Sequence, residues 1–152
     1  MTTKTVGVTE NVISKPEVLA DDDRGVIEQL DNTNEGNSVL RITSKAGTVR
    51  ANHYHQKDHH VCYLVSGQIR YVERPVGKDG VVDESIPLTE YTIKPGQLFY
   101  TAPMVAHAME FTEDSEFLAI TPRGGGEAEY ENDVIRVTLI EPEEAAARAA
   151  KK

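Results

Sequence analysis

The chain predicts an all-β fold, a small antiparallel barrel or sandwich in a single domain, and three observations carry that expectation. Short β-rich runs alternate with turn signals from about residue 21 to residue 140. No long helical period interrupts them before the last few residues. At 152 residues the chain fits one domain of ordinary size.

Residues 1–20 are polar with scattered valines and read as an arm with one short strand around Val12 to Ser14. Such an arm is placed to pair with another subunit, which points to a homodimer. Residues 21–140 form the compact β-domain. Its strands are expected at Val26–Leu30, Ser38–Thr43, Thr48–His55, His60–Val65, Gln68–Glu73, Thr89–Ile93, Leu98–Thr101, His107–Phe111, Glu116–Thr121 and Asp133–Leu139. Between them lie Asn34-Glu35-Gly36-Asn37, Lys45-Ala46-Gly47, Ser66-Gly67, Lys78-Asp79-Gly80 and Lys94-Pro95-Gly96, the residue types that reverse a chain cheaply. The Gly124-Gly125-Gly126 run reads as a flexible connection, since it lacks the context of a phosphate-binding loop. Residues 141–152 read as a short helix, with Pro142 in its first turn, Glu143 and Glu144 at its amino end, and Lys151 and Lys152 at its carboxyl end.

Charge and cysteine content narrow the function classes. The net charge is −9, from 16 basic and 25 acidic residues, so the surface repels polyanions and nucleic acid is not an expected partner. Cys62 is the single cysteine and reads as a small buried residue, so no intrachain disulfide forms. No secretory h-region and no stretch of membrane-spanning length occurs, which gives a cytoplasmic protein with no membrane partner as the expectation.

The chemistry is concentrated in the five histidines, His53, His55, His59, His60 and His107. Residues two apart on a strand share a face, so His53 and His55 aim two imidazoles into one space. The same alternation sends His60, Cys62 and Leu64 to one face and His59, Val61, Tyr63 and Val65 to the other, so only one of His59 and His60 points with the pair. Arg50 falls on the face opposite His53 unless a bulge turns it inward.

The stretch Gly47-TVRAN-His53-Tyr54-His55-QKDH-His60-VCYLVS-Gly67 resembles the first cupin motif, G-x5-H-x-H-x(3,4)-E-x6-G, with both glycines, both histidines and every spacing kept. The glutamate position is occupied by His60. A looser second motif keeps the separation of Gly96 and His107, with Pro103 one place late. The resemblance covers residues 40 to 121 and implies a cupin, a small antiparallel β-barrel or jelly roll, with a short C-terminal helix following it. It implies a metal held by His53, His55, His60 and His107, with His60 preferred over His59 because only His60 keeps the gap to Gly67. Four imidazoles suit Fe, Ni, Zn or Cu better than Mg or Ca. Loss of the carboxylate leaves the ligand set neutral, which strengthens the ion as a Lewis acid.

Three further segments resemble nucleotide-sugar epimerase and ketoisomerase cupins: Asp22-Asp23-Arg24-Gly25, Arg50-Ala51-Asn52-His53-Tyr54-His55, and Tyr130-Glu131-Asn132-Asp133-Val134-Ile135-Arg136. They imply an isomerase or epimerase that removes and returns a proton beside the carbonyl of a nucleotide-linked keto sugar. In that reading Arg24 and Arg50 grip the diphosphate, His59 is the first candidate for the base, and Tyr63, Tyr71 or Tyr100 delivers a proton to the opposite face. Two alternatives stand beside it: an iron-dependent dioxygenase, which the same histidine-rich site serves equally well, and a non-catalytic binder in which the metal anchors a small ligand.

Overall fold

The computed structural model describes residues 15–31, 38–121 and 131–151. Eleven strands run in the order β1 (Glu17–Asp22), β2 (Gly25–Asp31), β3 (Ser38–Ser44), β4 (Val49–His55), β5 (His60–Ser66), β6 (Ile69–Pro75), β7 (Thr89–Ile93), β8 (Leu98–Thr101), β9 (Val105–Phe111), β10 (Ser115–Thr121) and β11 (Val134–Arg136), before a helix α1 (Pro142–Ala150). They build two antiparallel sheets, one ordered β1-β2-β3-β10-β5-β8 and the other β11-β4-β9-β6-β7. Ten of these strands match expected runs with small boundary shifts. Strand β1 is additional: it pairs with β2 of the same chain, so the sheet begins inside the segment read as an arm. The strand expected at Val12 to Ser14 and the Gly124-Gly125-Gly126 run lie outside the described residues.

The inner faces of the two sheets enclose the core, and strand register gives that interior a gradient. Ile42, Leu64, Ile69, Ile93, Phe111 and Phe117 pack at one end, followed by Cys62, Tyr71, Phe99, Met109 and Ala119. Continuing along the same faces, β9 passes from Phe111 through Met109 to His107, and β5 passes from Leu64 through Cys62 to His60. Both strands therefore run from apolar packing to imidazole within four residues, so one end of the barrel is polar.

Two glycines of the first motif make close turns possible. Gly67 sits at φ +92, and a Cβ there would meet Ser115 Oγ at 2.1 Å and Asp114 O at 2.5 Å. Gly47 sits at φ +85, where a Cβ would meet the Ala149 side chain of α1 at 2.8 Å. The helix covers the outer face of the five-stranded sheet, where Ile140 and Ala145 pack with Val49, Val72 and Ala108. Arg148 donates from Nε and Nη2 to the buried Glu110 carboxylate at 2.8 and 2.5 Å. Among the described residues no helix is long and apolar enough to cross a membrane.

Candidate metal centre

Strand β4 carries an irregularity that sets the site. Its pairing with β9 shifts between Ala51 and His53, and both Ala51 (φ 70) and Asn52 (φ 54) adopt the left-handed region. Asn tolerates that conformation, and here it is stapled: Asn52 Oδ1 accepts from the backbone N–H groups of Leu139 and Ile140 at 2.9 and 3.1 Å, and Nδ2 donates to Ile140 O at 2.9 Å. The extra residue changes the parity of the strand. Arg50 then pairs with Met109 and His53 with His107, so both face the interior.

Four imidazoles meet beyond it. His53 stands edge-on to His55 and to His107, with ring centroids 4.8 and 4.9 Å apart, and His55 lies 5.9 Å from His107. His60, on the facing sheet, comes within 4.6 Å of His55. His53, His55 and His107 are 6%, 0% and 3% exposed. Nitrogen ligand atoms of these three lie within 4.8 Å of one another, and a second group within the same distance joins His55, Asp58 and His60.

Hydrogen bonds fix which ring nitrogen faces inward. His107 Nδ1 lies 3.1 Å from Val105 O, which can only accept, so Nδ1 carries the proton and Nε2 keeps its lone pair. His55 Nδ1 donates to Asp133 Oδ2 at 3.1 Å, leaving Nε2 in the same state. Asp133 is itself held by the backbone N–H groups of Lys57 and Asp58, at 2.8 and 3.2 Å. The Met104 N–H donates to His55 O at 2.7 Å and ties the entry of β9 to the end of β4.

Burial, reinforced by the neighbouring imidazoles, pushes His53 down to about 2. Burial also pushes His107 down to about 3, against the Val105 carbonyl, and lowers His55. These rings stay neutral across the physiological range, as metal ligands must. His60 Nε2 is buried without a hydrogen-bond partner. A buried nitrogen in need of a partner among neutral imidazoles suits a divalent transition metal.

The other expected site residues divide. Tyr71 is 3% exposed, stacks on His107 at 6.1 Å and shares a 3.3 Å hydrogen bond with Thr101. Tyr63 and Tyr100 correct the expectation: they pair with Leu98 and Val61 on the outer face of the six-stranded sheet, 37% and 55% exposed, while Cys62 and Phe99 between them point inward. Neither points toward His53, His55, His60 and His107. His59 is likewise drawn outward, its ring 5.6 Å from Tyr100, which removes it as a base at the cluster. Arg50 is a further correction. It is 6% exposed, with Nε donating to Ser44 Oγ at 2.6 Å and Nη2 to Thr43 O at 3.0 Å, so it holds the barrel together and is not available to grip a diphosphate. Arg24 lies on the β1–β2 turn, forked onto Asp22 at 3.2 and 2.7 Å, and its carbonyl accepts from the Lys45 N–H at 2.7 Å, so it sits at the apolar end of the barrel and not with the histidines.

No family profile and no curated protein matches the chain. Solved structures do. The capsular polysaccharide assembling protein CapF from Staphylococcus aureus superposes with a TM-score of 0.68 over 85% of this chain and 33% of its own, at 20% identity. A variant of the oxalate decarboxylase of B. subtilis gives 0.63 over 97% and 38%, at 19% identity. KdgF from Halomonas sp. gives 0.53 over 70% and 88%, at 16% identity. The chain has the cupin fold. It spans 33% of CapF and 38% of the decarboxylase, and identities this low carry the fold alone.

Four further residues join the site without having been singled out from the sequence. Asp133 orients His55. Glu73 pairs with His107 across β6 and β9 and so faces the same interior, close enough for its charge to act on Tyr71. Arg136 pairs with His53 and is near enough to depress it, while its guanidinium stays 67% exposed beside Glu131. Asp58 approaches His60 from the β4–β5 turn. Asp133 and Arg136 sit in the quoted Tyr130–Arg136 segment, which was the available signal; for Glu73 and Asp58 the sequence holds none. An open cleft at the β6–β7 connection, lined by Pro75, Val76, Asp79, Val82 and Ile86 among others, contains none of the histidines.

Proposed function

We propose that this cupin holds a divalent transition metal, Fe, Ni, Zn or Cu, through His53, His55, His60 and His107. With it the chain isomerises or epimerises a small molecule bearing a carbonyl, a nucleotide-linked keto sugar being the leading class. The observation that carries this reading is the convergence of four imidazoles from both sheets, with Asp133 and Val105 turning two of them to present a lone pair. The name of one neighbour, a capsular polysaccharide assembling protein, supports a sugar substrate, and the Mn(II) centres named for another, oxalate decarboxylase, support a metal.

A bound divalent ion supplies Lewis acidity to a carbonyl oxygen and so acidifies the neighbouring C–H. The remaining work belongs to side chains. Burial raises the Tyr71 phenol, which therefore keeps its proton and serves as the donor, with Thr101 steadying its hydroxyl. Glu73, on the same face as His107, is the base in place of His59. Arg136, exposed at the edge of the five-stranded sheet beside His53, meets an anionic group of the substrate. The apolar interior behind the histidines excludes water from the reacting end.

The same reading keeps the homodimer. Tyr63, Val65, Leu98, Tyr100 and Ile120 expose apolar surface on the outer face of the six-stranded sheet, and sedimentation of the purified chain is expected to show twice the monomer mass.

The test of function is exchange. Metal-loaded protein incubated in deuterated water with dTDP- or UDP-4-keto-6-deoxyhexose is expected to place deuterium on the carbon next to the carbonyl. Oxygen consumption without exchange would instead favour the dioxygenase, and neither result would leave a binder.

A further inference from the structure

The cupin motif places its one carboxylate where this chain has His60, and a set of imidazoles alone is neutral. Two observations return a carboxylate to the site. Ligand atoms of His55, Asp58 and His60 lie within 4.8 Å of one another, a donor group that shares His55 with the first. The buried Nε2 of His60 accepts or donates no hydrogen bond, and Asp58 Oδ2 lies 3.8 Å away from it. That separation is too long for a hydrogen bond. It falls within the roughly 3.0–4.2 Å spanned by two donors on one ion when each bond is about 2.1 Å.

Asp58 is held in place from behind. The Thr121 hydroxyl lies 3.0 Å from each of its oxygens, and the His59 N–H donates to Oδ1 at 3.1 Å. A carboxylate oxygen has lone pairs enough to accept such a bond and still ligate. The β4–β5 turn thus presents Oδ2 toward His60, on the side of the barrel interior.

We propose that Asp58 is a ligand of the metal, supplying from the turn the negative charge that His60 takes out of the motif. The donor set is then histidines plus one carboxylate, and the net charge at the metal is about +1, not the +2 of a neutral set. A hard oxygen donor raises affinity for Mn(II) and Fe(II) relative to an all-imidazole site. The inference rests on the metal reading given above.

The experiment compares the wild-type chain, D58N and H59A by competition titration with Mn(II) and with Cu(II). D58N is expected to lose at least tenfold more affinity for Mn(II) than for Cu(II), because the amide removes charge and hardness together, while H59A stays within threefold of wild type for both. Equal losses for the two metals would make Asp58 a neighbour that merely orients His60, and no loss would remove it from the site; either result overturns the proposal. A wild-type chain that binds neither metal defeats the metal reading itself and the proposal with it. Should D58N fail to fold, infrared difference spectra of wild-type protein labelled with 13C-carboxyl aspartate, with and without Mn(II), give the answer. A shifted aspartate carboxylate band is expected, and an unchanged one overturns the proposal.

Discussion

Asp133 accepts the Nδ1–H of His55 at 3.1 Å, so a residue 78 positions along the chain decides which nitrogen of a β4 histidine faces the barrel interior. The same carboxylate takes two backbone N–H groups of the β4–β5 turn and thereby steadies the segment that brings in Asp58 and His60. Replacing Asp133 with Ala releases ring and turn together. Loss of such an outer partner typically costs 10–100-fold in metal affinity. That range is the expected fall in Mn(II) or Zn(II) affinity for D133A by competition titration; an unchanged affinity would show that His55 needs no orientation.

Asn52 carries the second prediction. Its side chain makes three hydrogen bonds to Leu139 and Ile140 while its backbone occupies φ 54. N52A loses those bonds and places a Cβ residue in a conformation it disfavours, so a loss of about 2–4 kcal/mol is expected in urea unfolding. N52G tolerates the backbone and is expected to fall between wild type and N52A. Because His53 follows directly, both variants should also weaken metal binding; a stable N52A with full affinity would separate the bulge from the site.

Acid sensitivity of the metal-free chain follows from the buried rings. Unfolded histidine titrates at about 6.5, whereas burial pushes His53 to about 2 and His107 to about 3 in the folded chain. Below about pH 6.5 the unfolded state therefore binds protons that the folded state refuses, and stability falls as pH falls, by up to roughly 1.4 kcal/mol per unit for each ring. The loss continues until the folded-state values are reached. Urea midpoints of metal-free protein at pH 7.5 and 5.5 check this; equal midpoints would mean that the rings are protonated in the fold.

The tyrosines separate inner from outer faces. Y71F removes the hydroxyl of the tyrosine whose ring stacks on His107, and deuterium exchange into substrate is expected to slow at least tenfold. Y63F and Y100F lie on the far side of the sheet and are expected to stay within twofold of wild type. A slow Y100F with a normal Y71F would place the reacting end elsewhere.

Much of this was legible in period-two patterning and in the histidine spacing. Alternation along β5 sends His60, Cys62 and Leu64 inward, and the structure has Cys62 and Leu64 in the core with His60 beside His55. The same rule sends Tyr63 outward, so a proton-delivery role for it runs against the alternation. Strand β1 escaped because Glu17–Asp22 lies at a sheet edge, where no alternation is imposed and Val18 and Leu19 remain exposed. The sequence left a bulge beside Arg50 open but did not locate it, because Ala51 and Asn52 have no strong preference for the left-handed region; it is the C-terminal segment, packed against β4, that holds them there. Asp58 and Glu73, brought in by a turn and by long-range pairing, follow from tertiary structure and from no local pattern, whereas Asp133 and Arg136 had only the Tyr130–Arg136 resemblance to mark them.

The central claim is a metal centre completed by His60 from the facing sheet. Elemental analysis and metal titration of wild type, H60A and H59A test it most directly. One equivalent of metal is expected in wild type and H59A, with binding lost or weakened at least a hundredfold in H60A. Metal retained in H60A and lost in H59A, or absent from wild type, would contradict it.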